Sequence, residues 1–159
     1  PFAPARMAAM TDRTIDWVEG EIRLIDQTRL PDQLIVLRIA DVDDLVDAIV
    51  RLAVRGAPAL GVAGAMGVAL LAARHPGDDV LVREGAARLR AARPTAVNLA
   101  WGVDRALTRL SRGPSAVLAE ALAIRDEDVA ARQSTTCAFP ANGSSPKTAS
   151  ATTGTGRMI

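Results

Sequence analysis

VRGAPALGVAGAMGVALLAA, residues 54–73, sets an arginine, a glycine and a proline at the mouth of an alanine-rich apolar run. Pro58 suits the first turn of a helix, where its missing N–H would have had no intrahelical partner. Gly61, Gly64 and Gly67 then recur at three-residue spacing. Each glycine costs about 1 kcal/mol relative to alanine inside a helix, so three of them require a compensating contact, and the expectation is another backbone lying close along that face. The run from Pro58 to Ala73 is too short and too rich in glycine to span a bilayer comfortably, so it reads as a helix of a packed domain.

Working back from this helix, Asp41 is a good N-cap for an earlier one, whose apolar stripe is Val42, Leu45, Val46, Ile49, Leu52 and Ala53. Before it, LIVLRI (residues 34–39) follows a Pro-Asp break and is expected to be a strand buried on both faces, because polar residues hardly interrupt it. Ile15 and Trp17, then Ile22 and Leu24, alternate around VEGE, where Gly20 can supply a positive φ, and predict a β-hairpin. Working forward, HPGDD ends the glycine-rich helix. Three more helices are predicted at Val80 to Ala92, Thr95 to Ser111 and Pro114 to Arg132, with Thr95 capping the second of them and Pro114 and Ser115 opening the last. The expected class is α+β, a small N-terminal β-hairpin or sheet followed by a helical bundle of five helices.

A chain of 159 residues, about half of them hydrophobic, can bury one core. Nineteen basic against eighteen acidic residues leave a net charge of +1 with no basic stripe, which argues against nucleic acid or an anionic membrane as main partner and leaves small anions open. The single cysteine, Cys137, can form neither an internal disulfide nor a thiolate metal cluster, so the cytoplasm is the expected location. Residues 1–12 read as an extension, with Met7 or Met10 as a start, and lack a secretory apolar region. After Arg132 acidic residues and periodicity vanish in a Ser/Thr/Gly/Pro-rich segment, so 13–132 is expected to be the domain and 133–159 a flexible or out-of-frame tail.

Two motifs invite an anion. In VRGAPALG, Gly56 permits a tight turn and close backbone approach, the N–H groups of the following helix's first turn attract negative charge, and Arg55 can add a charge-assisted contact. The alternative is an interhelical turn with a solvated arginine. In ARPTAVNLAWGVDR (92–105), Arg93 stands before Pro94 at another helix start with Asn98 about a turn further on; taken alone this is also a capped helix with a surface arginine, and Trp101 reads as core. His75 reads as a solvated helix-exit residue and RDED (125–128) as a charged helix face. Asp16, Asp26 and Asp104 are acids without an assignable partner. No nucleophile–base pair, metal constellation or dinucleotide fingerprint is legible.

RTIDW followed by EIRLIDQTRLP, then AIVRLAVRGAPALGVAGAMGVAL, then ARPTAVNLAWGVDR, occur in the order and at about the separations of the methylthioribose-1-phosphate isomerase family of methionine salvage, and the resemblance covers residues 13 to 132. That family is similar to ribose-1,5-bisphosphate isomerases and to regulatory subunits of a translation-initiation nucleotide exchange factor, which makes a non-catalytic ligand-sensing or assembly module the alternative. The resemblance implies a cofactor-independent aldose–ketose isomerisation of a phosphosugar, with Arg55, Gly56, Ala57 and Arg93 contacting substrate, no metal, and a homodimer for the intact family protein. It also implies a catalytic cysteine in a Thr-His-Cys-Asn-like motif and a later aspartate in a Rossmann-like C-terminal domain. Neither motif occurs in this sequence, TTCAFP around Cys137 does not match, and the chain is expected to be inactive by itself.

Overall fold

The computed structural model describes residues 13–136. Three short strands, β1 (Ile15–Val18), β2 (Glu21–Ile25) and β3 (Val36–Ile39), precede five helices: α1 (Val42–Val50), α2 (Ala57–Arg74), α3 (Asp79–Ala91), α4 (Val97–Leu107) and α5 (Pro114–Thr136). This is the α+β arrangement expected. α5 extends past the Arg132 limit inferred from composition, and Cys137 lies outside the described residues.

The strands form one antiparallel sheet in the order β1-β2-β3. Glu19 and Gly20, both at positive φ, make the two-residue turn that joins β1 to β2, and the register pairs Trp17 with Ile22 and Ile15 with Leu24. On β3, Ile39 is buried opposite Ile22, whereas Val36, and Leu34 two residues before the strand, are exposed, so the expected burial on both faces is wrong. β3 is an edge strand that covers the core with one face only, so alternate residues of an apolar run point to solvent.

α1 carries its expected cap, with the Asp41 carboxylate accepting from the Asp43 amide at 2.8 Å. The helix stops at Val50, however, and Leu52, assigned above to the buried stripe, sits beyond it at φ 66° with 40% of its surface exposed. Ala53 N–H bonds back to the Ala48 carbonyl and Leu52 N–H to that of Ile49, the pattern of a Schellman ending with leucine where glycine is usual. That pattern costs roughly 1–2 kcal/mol for a side chain in the left-handed region, and it turns Ala53 and Val54 inward while Leu52 turns out.

α2 is the centre of the molecule, buried from Ala59 through Ala72. Its glycines do allow close approach: a Cβ built on Gly61 would lie 3.3 Å from the Asn98 carbonyl oxygen, and one on Gly64 would lie 2.7 Å from that of Leu99. Gly67 differs, since it meets the side chains of Leu89 and Leu45 rather than a backbone. From the α4 side Gly102 completes the crossing, its Cβ position falling 2.0 Å from the Gly61 carbonyl oxygen. The expected helix from Thr95 to Ser111 is in fact α4 followed by a separate 3-10 turn, Leu110–Arg112. α5 is tied to α4 by Glu120, which accepts from Arg105 Nε at 2.7 Å and Arg109 Nε at 2.8 Å, and these two guanidinium groups, Arg109 foremost, hold its carboxyl below the usual carboxylate range.

Candidate functional site

The first turns of α2 and α4 border one cleft of about 360 Å³. Gly56, Ala57 and Leu60 line it from α2, and Arg93, Thr95, Ala96, Val97 and Asn98 line it from the approach and start of α4. Both helices begin without a side-chain cap: Gly56 has no side chain to offer, and the N-cap of α4 is Ala96, not the expected Thr95. The reason lies in the Arg93–Pro94 corner, where Ala96 N–H bonds back to the Arg93 carbonyl at 2.9 Å and so delays the helix past Thr95. α1 and α3, by contrast, begin on aspartates whose carboxylates accept first-turn amides. Two positive helix ends therefore meet at the cleft, and Arg93 adds a full charge. Pro58 brings no N–H to the first turn of α2, and in α4 the Val97 and Leu99 amides donate to the Thr95 and Ala96 carbonyls, so the cleft's first-turn donors outside these bonds are the amides of Ala57 and Asn98.

Gly56 is conformationally required: its φ of 91° swings the chain from the α1–α2 connection into α2, whose first turn has no side-chain cap. Of the residues assigned to substrate contact, Gly56, Ala57 and Arg93 thus share one cleft. Arg55 is not among its walls. It is exposed, and its Nε donates to the Leu52 carbonyl at 3.2 Å.

Asp26, read above as an acid without a partner, is buried at 3% exposure and well bonded. Its Oδ1 accepts from Thr28 N at 3.0 Å and Thr28 Oγ1 at 2.6 Å, while Oδ2 accepts from Arg51 Nη1 at 2.8 Å. The Thr28 side chain first, then Arg51, lower its pKa from 3.8 to about 2. A carboxyl depressed in the fold stabilises fully above its unfolded value and loses that stabilisation as pH falls from 3.8 through about 2. With Arg51 half-open, the discounted contribution is about 1–2 kcal/mol. The stability advantage of the wild type over Asp26→Asn in urea is therefore expected to be largest at pH 6 and smaller at pH 2.5; an unchanged difference would contradict it.

No protein-family model matches the chain. Among curated proteins, it is 51% identical over 121 residues to a methylthioribose-1-phosphate isomerase of Anaeromyxobacter sp. (strain Fw109-5), covering 75% of this chain and 36% of that protein. The crystal structure of 5-methylthioribose 1-phosphate isomerase from Pyrococcus horikoshii matches 79% of this chain and 39% of its own, with TM-score 0.68 and 27% identity. This chain belongs to the methylthioribose-1-phosphate isomerase family. It spans little more than a third of the length of that relative. A structure described as translation initiation factor eIF-2B, subunit delta, from A. fulgidus also matches, at 42% identity and TM-score 0.65 over 76% of this chain.

In this family member the other polar residues singled out above serve the scaffold. Asp16, a β1 residue, accepts from Arg125 and Arg13 and joins the sheet to α5; Asp104 pairs with Arg90 at 3.2 Å. Both have partners that the sequence did not reveal. The RDED face is consumed by ion pairs, including Glu127 with Arg105 at 2.7 Å and Asp128 with Arg132. His75 is exposed at the end of α2. Trp101, expected in the core, is 47% exposed, with the Arg105 guanidinium 5.3 Å from its ring centroid. It cannot be buried deeper because Gly61 and Gly102 have already brought the two helices to contact beside it. Among the described residues, no group of three or more His, Cys, Asp or Glu could hold a metal ion.

Proposed function

We propose that residues 13–136 are the phosphate-holding part of an S-methyl-5-thioribose-1-phosphate isomerase, acting in methionine salvage. The observation that carries this reading is the meeting of two uncapped helix N-termini and Arg93 on one cleft. The substrate's C1 phosphate blocks a free aldehyde, so the furanose must open with the phosphate attached before hydrogen moves from C2 to C1. Such a step requires the phosphate to stay fixed while the sugar changes shape. First-turn amides and a guanidinium supply that restraint without taking part in proton transfer. The same reading assigns the protein to the cytoplasm and, for a full-length family member, to a homodimer. It excludes nucleic acid and membrane as partners. Since the described residues offer no acid–base pair at the cleft, the 159-residue chain tested by itself is expected to bind substrate without turning it over.

Calorimetric titration of this chain with 5-methylthioribose 1-phosphate and with unphosphorylated 5-methylthioribose tests the reading. Hydrogen bonds to charged groups contribute about 1.5–3 kcal/mol each, so the phosphorylated sugar is expected to bind at least tenfold more tightly. Equal affinity would sink the anion site. The likeness to an eIF-2B delta structure supports a second reading, a non-catalytic assembly module. Stable association with a heterologous protein and no sugar-phosphate affinity would favour that reading instead.

A further inference from the structure

We propose that Asp26 is a positioning residue for the cleft, acting through Arg51 on the connection that delivers Gly56 and Ala57 to the start of α2. The proposal rests on the phosphate-binding reading of that cleft. Asp26 is not one of the cleft's walls; its reach is through the chain. The connection, residues 51–56, contains Leu52 at φ 66° and Gly56 at φ 91°. The Schellman bonds from Leu52 and Ala53 set the start of this path, but leucine is strained at its position and Gly56 is free to adopt many conformations.

What ties the path to the sheet side of the molecule is the loop after β2. Arg51, which directly follows α1, donates to Asp26 Oδ2 at 2.8 Å, and Gln27 N–H donates to the Ala53 carbonyl at 3.0 Å. The loop is itself braced, since Asp26 Oδ1 takes both the Thr28 amide and hydroxyl, and Asp26 N–H bonds to the Ile35 carbonyl at 2.8 Å. Arg51 is steadied from α1 by Asp47 at 3.2 Å. One buried carboxylate thus fastens the sheet-side loop to the connection, and the two anchors on that connection, Arg51 and Ala53, lie within five residues of Gly56. A small anion held by first-turn amides is sensitive to displacements well under 1 Å, so the fastening sets how well those amides meet a phosphate.

The test uses the full chain as wild type, Asp26→Asn, Arg51→Lys, and Asp104→Asn as a control that breaks an exposed pair elsewhere. Asparagine keeps an acceptor for Thr28 but loses the charge that holds Arg51; lysine at 51 keeps a cation within reach of Asp26. In the ligand-free proteins, amide hydrogen exchange at Ala53 and Leu60 is expected to rise in Asp26→Asn and not in Asp104→Asn. Affinity for 5-methylthioribose 1-phosphate, followed by calorimetry, is expected to fall about tenfold in Asp26→Asn and less in Arg51→Lys. A wild type that binds, with Asp26→Asn binding equally well even though it melts lower, would show the carboxylate to be a stability element only and overturn the proposal. Unchanged exchange at Ala53 and Leu60 would overturn it too. A wild type that binds no phosphosugar would instead overturn the function on which the proposal rests, a result the calorimetry separates from the other two.

Discussion

Gly102→Ala is expected to cost the domain about 3 kcal/mol or more of stability and to lower its melting temperature by about 10 °C or more. The added Cβ would stand 2.0 Å from the Gly61 carbonyl oxygen, where a relaxed carbon–oxygen contact needs about 3.3 Å. Both groups belong to helix backbones, so no side-chain rotation relieves the overlap and α4 must move off α2. Alanine's better helix propensity returns only about 1 kcal/mol, against a net stability of about 5–15 kcal/mol for a domain of this kind. Gly64→Ala and Gly61→Ala form a graded series, because their Cβ positions lie 2.7 Å from Leu99 O and 3.3 Å from Asn98 O. The order of urea midpoints should be Gly61→Ala, then Gly64→Ala, then Gly102→Ala, from most to least stable. A Gly102→Ala protein as stable as wild type would mean that the helices do not cross so closely.

The same crossing sets the site. α2 and α4 can present their first turns to one cleft because small residues let the backbones touch just behind it, at Gly61 against Asn98 and Gly102 against Gly61. The glycine periodicity in residues 54–73 made half of this legible: it called for a neighbouring backbone without saying which. Gly102 gave no periodic signal, being a single glycine after Trp101, and its role follows only from the partner it meets.

The remaining differences between sequence and structure have particular causes. The end of α1 was hidden because Leu52 occupies the left-handed position that glycine usually marks, so the apolar stripe ran on past the helix. Thr95 looked like a cap because threonine before an apolar run usually is one, but the turn at Arg93 and Pro94 postpones α4 by one residue and leaves the Asn98 amide open to the cleft. β3 reads as doubly buried because an apolar run cannot announce that it lies at an edge. Asp26 does carry a local signal: aspartate two residues before threonine is the pattern of a side chain that bonds its own backbone. Its partner Arg51 stands 25 positions away and belongs to no local pattern.

Arg93 and Arg55, equal candidates in the sequence, are expected to separate sharply when each is replaced by alanine. Arg93 is half-buried at the cleft wall, beside the first turns of both helices, so a phosphate seated on those turns lies within reach of its guanidinium. Truncating it removes a charge-assisted contact of about 1.5–3 kcal/mol, and affinity for 5-methylthioribose 1-phosphate should fall roughly tenfold to a hundredfold with little change in melting temperature. Arg55 must first release the Leu52 carbonyl and turn toward the cleft from an exposed position, giving up side-chain freedom to do so. Arg55→Ala is therefore expected to weaken binding by less than about fivefold. Matched calorimetric titrations of the two variants with the phosphosugar and with inorganic phosphate decide the matter. Similar large losses in both would mean that Arg55 swings inward when the ligand binds, so that the connection held by Asp26 moves as part of binding. A loss confined to Arg93 would mean that the cleft already has its binding shape, with the phosphate held by preformed amides and one fixed guanidinium.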